Sequence, residues 1–285
     1  MEIVFKKKKS DLNIYSCETY KSFKFSAGEV HIKLKGFSDK LKDKKLESIE
    51  LRKDLRSSDD IMELLLTKNI IDNIKNKYNL NFKCEFFTKY LPYSRQDRII
   101  NEDEPFSLLV ISDLINNLKF DKITVHDVHS ETSKILIKNL HVTTKEDALN
   151  DLIKDEKFKK DFDSCRYMIA PDAGAFKETY SLAQKFEKEA IIANKVRNVK
   201  DGKIIKTQIC DEGYNLKGEN VFIADDIIDG GMTLIKLVEM LKEKEVNEIY
   251  VYTTHGIFSK GKDVLFDSGV DKIYTRYEWN EDIAI

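Results

Sequence analysis

Short apolar runs alternate with longer amphipathic stretches along this chain. Lys83-Cys84-Glu85-Phe86-Phe87, Lys122-Ile123-Thr124-Val125, Tyr167-Met168-Ile169-Ala170, Ala190-Ile191-Ile192-Ala193, Val221-Phe222-Ile223-Ala224 and Ile249-Tyr250-Val251-Tyr252 each predict a strand. Runs this short and this apolar suit strands buried on both faces of a parallel sheet. Between them, Ile61 to Ile70, Phe106 to Leu118 and Leu234 to Leu241 space apolar residues three and four apart, which predicts helices. Alternating strands and helices imply an α/β fold with doubly wound parallel sheets. The charged, helix-prone segment Thr143 to Asp163 divides the pattern, so two domains are expected, residues 1–145 and 146–285.

Composition narrows the function classes. The chain has 285 residues, with 48 Lys+Arg against 50 Asp+Glu, a net charge of -2. No global basic field is present to hold nucleic acid. Cys17, Cys84, Cys165 and Cys210 are scattered singly, with no Cys-x-x-Cys, which suits a reducing compartment. No apolar run approaches membrane-spanning length, and the start MEIVFKKKKSDLN lacks an apolar signal core. The expectation is a cytoplasmic protein without nucleic-acid or membrane partners.

The segment from Val221 to Thr233 carries the most chemistry. An apolar strand runs into Asp225 and Asp226, and a turn with Asp229, Gly230 and Gly231 leads into an apolar-periodic helix. In open α/β sheets ligands bind beyond the carboxyl ends of strands. The glycines let the backbone approach an anion, and the N–H groups of a helix start point at it. Thr233 adds a hydroxyl, and the two acids are acceptors suited to the vicinal diol of a ribose. The plain alternative is an acidic turn that caps a helix.

This segment resembles the phosphoribosyl-diphosphate signature shared by type I phosphoribosyltransferases and ribose-phosphate pyrophosphokinases, usually Asp-Asp-x-x-Asp-Thr-Gly-Gly-Thr. Here Gly230 stands in place of Thr and Met232 in place of the second Gly. Further segments are similar to the pyrophosphokinases in particular. Pro92-Tyr93-Ser94-Arg95-Gln96-Asp97-Arg98 resembles Pro-Tyr-Ala-Arg-Gln-Asp-Arg, which implies ATP contacts for Arg95 and Gln96. Asp127-Val128-His129-Ser130-Glu131 resembles Asp-Leu-His-Ala-Glu, which implies that His129 is a ligand of nucleotide-bound Mg²⁺. Pro171-Asp172-Ala173-Gly174-Ala175 resembles Pro-Asp-x-Gly-Gly and makes Asp172 a metal or ribose ligand, with a helix N-cap as its alternative role. Asn194-Lys195-Val196-Arg197 is similar to Asp-Lys-Arg-Arg, which implies a catalytic flap carrying Lys195 and Arg197. Phe25-Ser26-Ala27-Gly28-Glu29 resembles Phe-Ser-Asp-Gly-Glu, with Phe25 on the adenine and Glu29 on its amino edge. His255, in Thr254-His255-Gly256-Ile257-Phe258-Ser259, fits the family and is read as structural.

The resemblance spans roughly residues 20–260 in family order. It implies two similar domains of the type I phosphoribosyltransferase kind, a homo-oligomer, and ATP with Mg²⁺. The implied reaction transfers the β,γ-diphosphate of ATP to the anomeric hydroxyl of a 5′-substituted ribose. Ribose 5-phosphate is the family's acceptor. The altered loop keeps ADP-ribose open, giving ADP-ribose pyrophosphate for NAD synthesis, as is thought of some viral relatives. A phosphoribosyltransferase and a non-catalytic regulatory homologue are the other classes considered.

Overall fold

Alternation of side chains across the strands explains the architecture of the C-terminal half. In the computed structural model, which describes residues 1–7, 20–43, 46–197 and 204–279, and only the backbone of 194–197 and 204–207, the chain forms two units, Met1–Thr143 and Thr144–Ile285. Both are α/β units with parallel sheets.

The first unit has a five-stranded sheet of order β1-β4-β5-β6-β7, built from β1 (Glu2–Lys7), β4 (Leu46–Arg52), β5 (Lys83–Thr88), β6 (Lys122–His126) and β7 (Leu140–Thr143). The pairs from β4 to β7 are parallel, and β1 closes the edge antiparallel to β4. A separate antiparallel hairpin joins β2 (Tyr20–Lys24) to β3 (Val30–Leu34). The helices are α1 (Phe37–Leu41), α2 (Ser58–Lys77), α3 (Ser107–Asn117) and α4 (Glu131–Leu136). Ser57 caps α2 by accepting from the Asp60 N–H at 3.2 Å, satisfying one of the orphan donors of the first turn. The core joins Ile49, Leu51, Phe86, Ile123 and Val125 of the strands to Leu64, Leu108, Ile111 and Ile115 of the helices.

The second unit has a six-stranded sheet of order β10-β9-β8-β11-β12-β13. Its strands are β8 (Cys165–Ala170), β9 (Glu189–Arg197), β10 (Ile204–Cys210), β11 (Asn220–Ile228), β12 (Ile249–Gly256) and β13 (Lys272–Glu278). All pairs are parallel except β10 with β9. Helices α5 (Lys145–Leu152), α6 (Glu156–Ser164), α7 (Ala173–Lys185), α8 (Met232–Glu243) and α9 (Asp263–Asp267) complete it. Ile169, Ile223 and Val251 face Leu234, Leu237, Val238 and Leu241 of α8 in one core. Met168, Phe222, Tyr250 and Tyr252 enter a second core with Phe158, Phe162 and Leu182. Successive residues of each strand therefore feed opposite faces, so both faces are apolar and the sequence reads as unbroken apolar runs.

The strand order reverses between β8 and β11. From β8 the chain steps outward to β9 and β10, then returns to lay β11 on the other side of β8. This is a topological switch point, where open α/β sheets leave a crevice at the strands' carboxyl ends. Among the described residues, no helix is long and apolar enough to cross a membrane.

Candidate active site

The acids at the switch point sit inside a strand rather than after it. The apolar run predicts that the strand ends at Ala224, but β11 continues to Ile228. Parallel pairing with β12 extends it, with Asp225 opposite Thr253, Ile227 opposite His255 and Ile228 opposite Gly256. Ladder bonds thus outweigh the low strand propensity of adjacent aspartates. Asp226 donates its backbone N–H to Asp225 Oδ1 at 3.0 Å.

Burial pushes the Asp225 carboxyl up to about 8, and the neighbouring Asp226 charge adds to it, while Lys145 opposes the shift. Like charges held side by side disfavour double ionisation. Such a pair gains from hydroxyl donors or a cation in front of it. Lys145 was not singled out from the sequence. Its side chain is buried, with Nζ 2.7 Å from Glu178 Oε2 on α7. It is one lysine in a charged segment, and only the tertiary fold brings it toward Asp225.

After β11 the loop through Asp229, Gly230 and Gly231 enters α8. Gly231 is the N-cap at φ 74°, so the N-cap residue itself supplies no side-chain cap. The left-handed conformation favours glycine, and a Cβ there would lie 2.6 Å from Leu265 Cδ2 and push that methyl aside. Gly230 differs: a Cβ would make ordinary contacts at 3.7 Å with Lys260 Cε and Ser259 Oγ. Thr233 is exposed in the first turn of α8. Ile228 O accepts from the N–H groups of Ile257 at 2.8 Å and Phe258 at 3.2 Å, which ties the loop to the turn after β12. Together the uncapped helix start, the glycine turn and the paired acids can hold an anion at one end and a diol at the other.

Asp172 follows β8 and is the N-cap of α7, its Oδ1 accepting from the N–H groups of Gly174 at 3.1 Å and Ala175 at 3.2 Å. The capping alternative is therefore present in the structure. His255 is buried on β12 and stacks against Tyr277, at 6.0 Å between ring centroids and 21° between planes.

In the first unit, Phe25 and Glu29 occupy the exposed tip of the β2–β3 hairpin. The Phe25 N–H donates to Glu29 O at 2.9 Å, and Gly28, at φ 97°, donates to Phe25 O at 2.8 Å. Phe25 meets Phe23 and His31, each at 5.3 Å between centroids, so the tip presents an aromatic surface beside a carboxylate. Arg95 and Gln96 are exposed in the loop after β5, and Gln96 O accepts the Leu108 N–H at 3.2 Å at the start of α3. His129 is exposed beyond β6, two residues after Asp127, which adopts φ 52°. Neighbouring His126 packs edge-on to Phe87 at 5.1 Å.

Lys195 and Arg197 lie on β9, but their side chains, like the polar stretch 198–203, fall outside the described residues. Among the described residues, no group of three or more His, Cys, Asp or Glu side chains is gathered to hold a metal. A Mg²⁺ that arrives with a nucleotide needs only one or two protein ligands beside phosphate and water.

The model of the family described as phosphoribosyl transferase domain matches residues 139–284. A ribose-phosphate pyrophosphokinase of Pyrococcus abyssi is 32% identical over 190 residues, spanning 63% of this chain and 59% of that protein's length. One of Pyrococcus furiosus is 27% identical over 259 residues, spanning 88% of this chain and 82% of the relative. The crystal structure of phosphoribosylpyrophosphate synthetase from Mycobacterium smegmatis superposes with a TM-score of 0.73 at 17% identity, covering 92% of this chain and 81% of that one.

Proposed function

Since the chain belongs to the phosphoribosyl transferase domain family, in its ribose-phosphate pyrophosphokinase branch, we propose that it is an ATP-dependent diphosphokinase acting on a 5′-substituted ribose. The observation that carries this is the end of β11, where paired acids precede a helix start with glycine at its N-cap. The acceptor's 1-hydroxyl attacks the β-phosphorus of ATP. The bond from that phosphorus to the oxygen bridging to the α-phosphate breaks, AMP leaves, and the hydroxyl proton is lost. Such transfer depends on alignment and charge neutralisation more than on covalent catalysis.

In this reading Asp225 and Asp226 accept hydrogen bonds from the ribose hydroxyls. Asp229, Gly230, Gly231 and Thr233 hold the 5′-substituent. Phe25 stacks on the adenine, Glu29 reads its amino group, and Arg95 and Gln96 bind the nucleotide. Lys195 and Arg197 meet charge developing on the transferred group. Asp172 and His129 would hold the Mg²⁺ that accompanies ATP, and that ion would supply neutralisation of phosphate charge. The family reading also implies a cytoplasmic homo-oligomer. Burial raises the thiols of Cys84 and Cys165 to about 12, which makes both unreactive.

The test is incubation of the chain with Mg-ATP and ribose 5-phosphate, with chromatography of the nucleotides. AMP is the expected product, and acceptor-dependent ADP would leave an ordinary kinase. In the same assay Lys195→Ala and Arg197→Ala are each expected to lower kcat by at least about 10²-fold with little change in ATP binding. Near-normal turnover in both would remove them from the machinery.

One observation favours ADP-ribose as a second acceptor. The position where the usual signature has Thr is Gly230, which lacks that hydroxyl and faces Ser259 and Lys260. Gly230→Thr restores the hydroxyl, and its Cβ meets only ordinary contacts. It is expected to shift kcat/KM toward ribose 5-phosphate by about tenfold or more, since a hydrogen bond to a charged group contributes roughly 1.5–3 kcal/mol. If wild type uses ribose 5-phosphate well and ignores ADP-ribose, the glycine is a tolerated variation.

A further inference from the structure

We propose that Ser259 and Lys260 form the outer wall of the 5′-substituent loop, where Lys260 favours acceptors carrying a second phosphate on that side. This rests on the pentose-phosphate reading of the loop after β11. Both side chains approach one point: a Cβ built at Gly230 would lie 3.7 Å from Ser259 Oγ, 3.7 Å from Lys260 Cε and 3.8 Å from Lys260 Cδ. At Gly230 the loop is therefore bordered by the Ser259 hydroxyl and the end of the Lys260 stem, whose ammonium group lies one bond beyond Cε.

The turn that carries them is constrained. Its N–H groups at Ile257 and Phe258 are bonded to Ile228 O, at 2.8 and 3.2 Å, so it moves with the loop. Phe258 takes a left-handed conformation at φ 47°, and its ring lies so close over Gly256 that any Cβ there would strike it. The Gly261 N–H closes the turn on Phe258 O at 2.8 Å. Nearby Lys262 is differently engaged, in an ion pair with Glu278 and over the Phe258 ring at 5.2 Å. Lys260 is exposed and makes no ion pair with any described residue.

The chemistry follows from charge and reach. Backbone N–H groups at the start of α8 suit the first phosphate. A second phosphate leaving past Gly230 meets the Lys260 ammonium as a charge-assisted donor, with the Ser259 hydroxyl beside it. An acceptor that ends in a monoester gains less from Lys260, because its phosphate is held within the loop.

The experiment is isothermal titration calorimetry on the full chain with ribose 5-phosphate and with ADP-ribose, for wild type, Lys260→Ala and Lys262→Ala. Lys260→Ala is expected to weaken ADP-ribose about tenfold and ribose 5-phosphate less than about threefold, while Lys262→Ala leaves the ratio unchanged. Equal losses for both ligands, no loss in Lys260→Ala, or a wild type that binds ribose 5-phosphate and not ADP-ribose would each overturn the proposal. AMP release is measured separately. If the binding preference depends on Lys260 while no AMP forms from ATP with either acceptor, the diphosphokinase reading fails and the Lys260 assignment stands.

Discussion

The starts of α7 and α8 follow neighbouring strands of one sheet and are built in opposite ways. At α7, the Asp172 carboxylate turns back onto the N–H groups of Gly174 and Ala175. At α8, the N-cap is Gly231 in a left-handed conformation, which has no side chain of its own to cap the helix start. Each helix begins with donors that lack intrahelical acceptors, and each concentrates partial positive charge there. The first site supplies its own anion. The second supplies room, a close backbone approach and two acids upstream on β11. Neighbouring strand-to-helix turns thus differ in what occupies the helix start, a carboxylate at α7 and glycine backbone at α8.

The comparison breaks most visibly if Gly231 can be replaced. Gly231→Ala forces a Cβ to 2.6 Å from Leu265 Cδ2 at a backbone angle of φ 74°. It is expected to lower acceptor kcat/KM by at least about 10²-fold, since displaced donors act on a bound charge. The left-handed conformation alone costs the alanine chain roughly 1–2 kcal/mol of stability. Gly230→Ala, which meets only ordinary contacts and has no positive φ, serves as the control and is expected to melt near wild type. Equal and mild effects in both variants, read by thermal melting and acceptor kinetics, would mean that the uncapped start is not a site.

A smaller effect separates binding from stability at the acids upstream. Asp225 titrates near 8 in the folded chain, raised by burial and by the Asp226 charge from an ordinary value of 3.8. The unfolded chain therefore releases this proton first as pH rises. The contribution to stability is full below about pH 4 and is lost as pH climbs through about 8, because the folded state then carries an ionised carboxylate it disfavours. Asp225→Asn removes that loss. Its melting temperature is expected to exceed that of wild type at pH 8–9 and to approach it at pH 5, while acceptor affinity falls at both. A variant that melts identically across this range would indicate that Asp225 is an ordinary exposed carboxylate.

Much of this layout is written locally in the sequence. The runs at 167–170, 221–224 and 249–252 are apolar because both sheet faces are covered, and α8 shows its buried stripe of Leu234, Leu237, Val238 and Leu241. The glycine turn before α8 is legible because only backbone freedom explains its composition. Other features depend on distant partners. The β4 segment Leu46-Glu47-Ser48-Ile49-Glu50-Leu51-Arg52 carries charges that blur its pattern. Glu50 is tolerated in the sheet because Lys6 on β1 meets it at 3.0 Å and Arg52 at 2.5 Å. The length of β11 is set by β12, which draws Asp225 and Asp226 into the ladder. Lys145 is identifiable only once α5 packs beside α7, where Glu178 lies at 2.7 Å. Local periodicity reports burial, whereas paired charges report a neighbour that the local pattern does not contain.

The finest distinction lies at Asp172, where a cap and a metal ligand would use the same carboxylate. An N-cap needs an acceptor oxygen but not a negative charge, so Asp172→Asn is expected to keep the bonds to Gly174 and Ala175 and to melt like wild type. Asp172→Ala removes the acceptor and is expected to cost about 1 kcal/mol. For a chain of this size that amounts to a fall of roughly 2–4 °C in melting temperature. Magnesium separates the roles. A carboxylate that also meets a nucleotide-borne Mg²⁺ contributes charge that asparagine lacks, so Asp172→Asn is expected to need several-fold more Mg²⁺ for half-maximal AMP release despite its normal melting. If Asp172→Asn shares both the melting curve and the Mg²⁺ titration of wild type, the carboxylate serves α7 alone. The contrast with α8 would then become absolute, with one helix start closed by its own side chain and the other left to the acceptor.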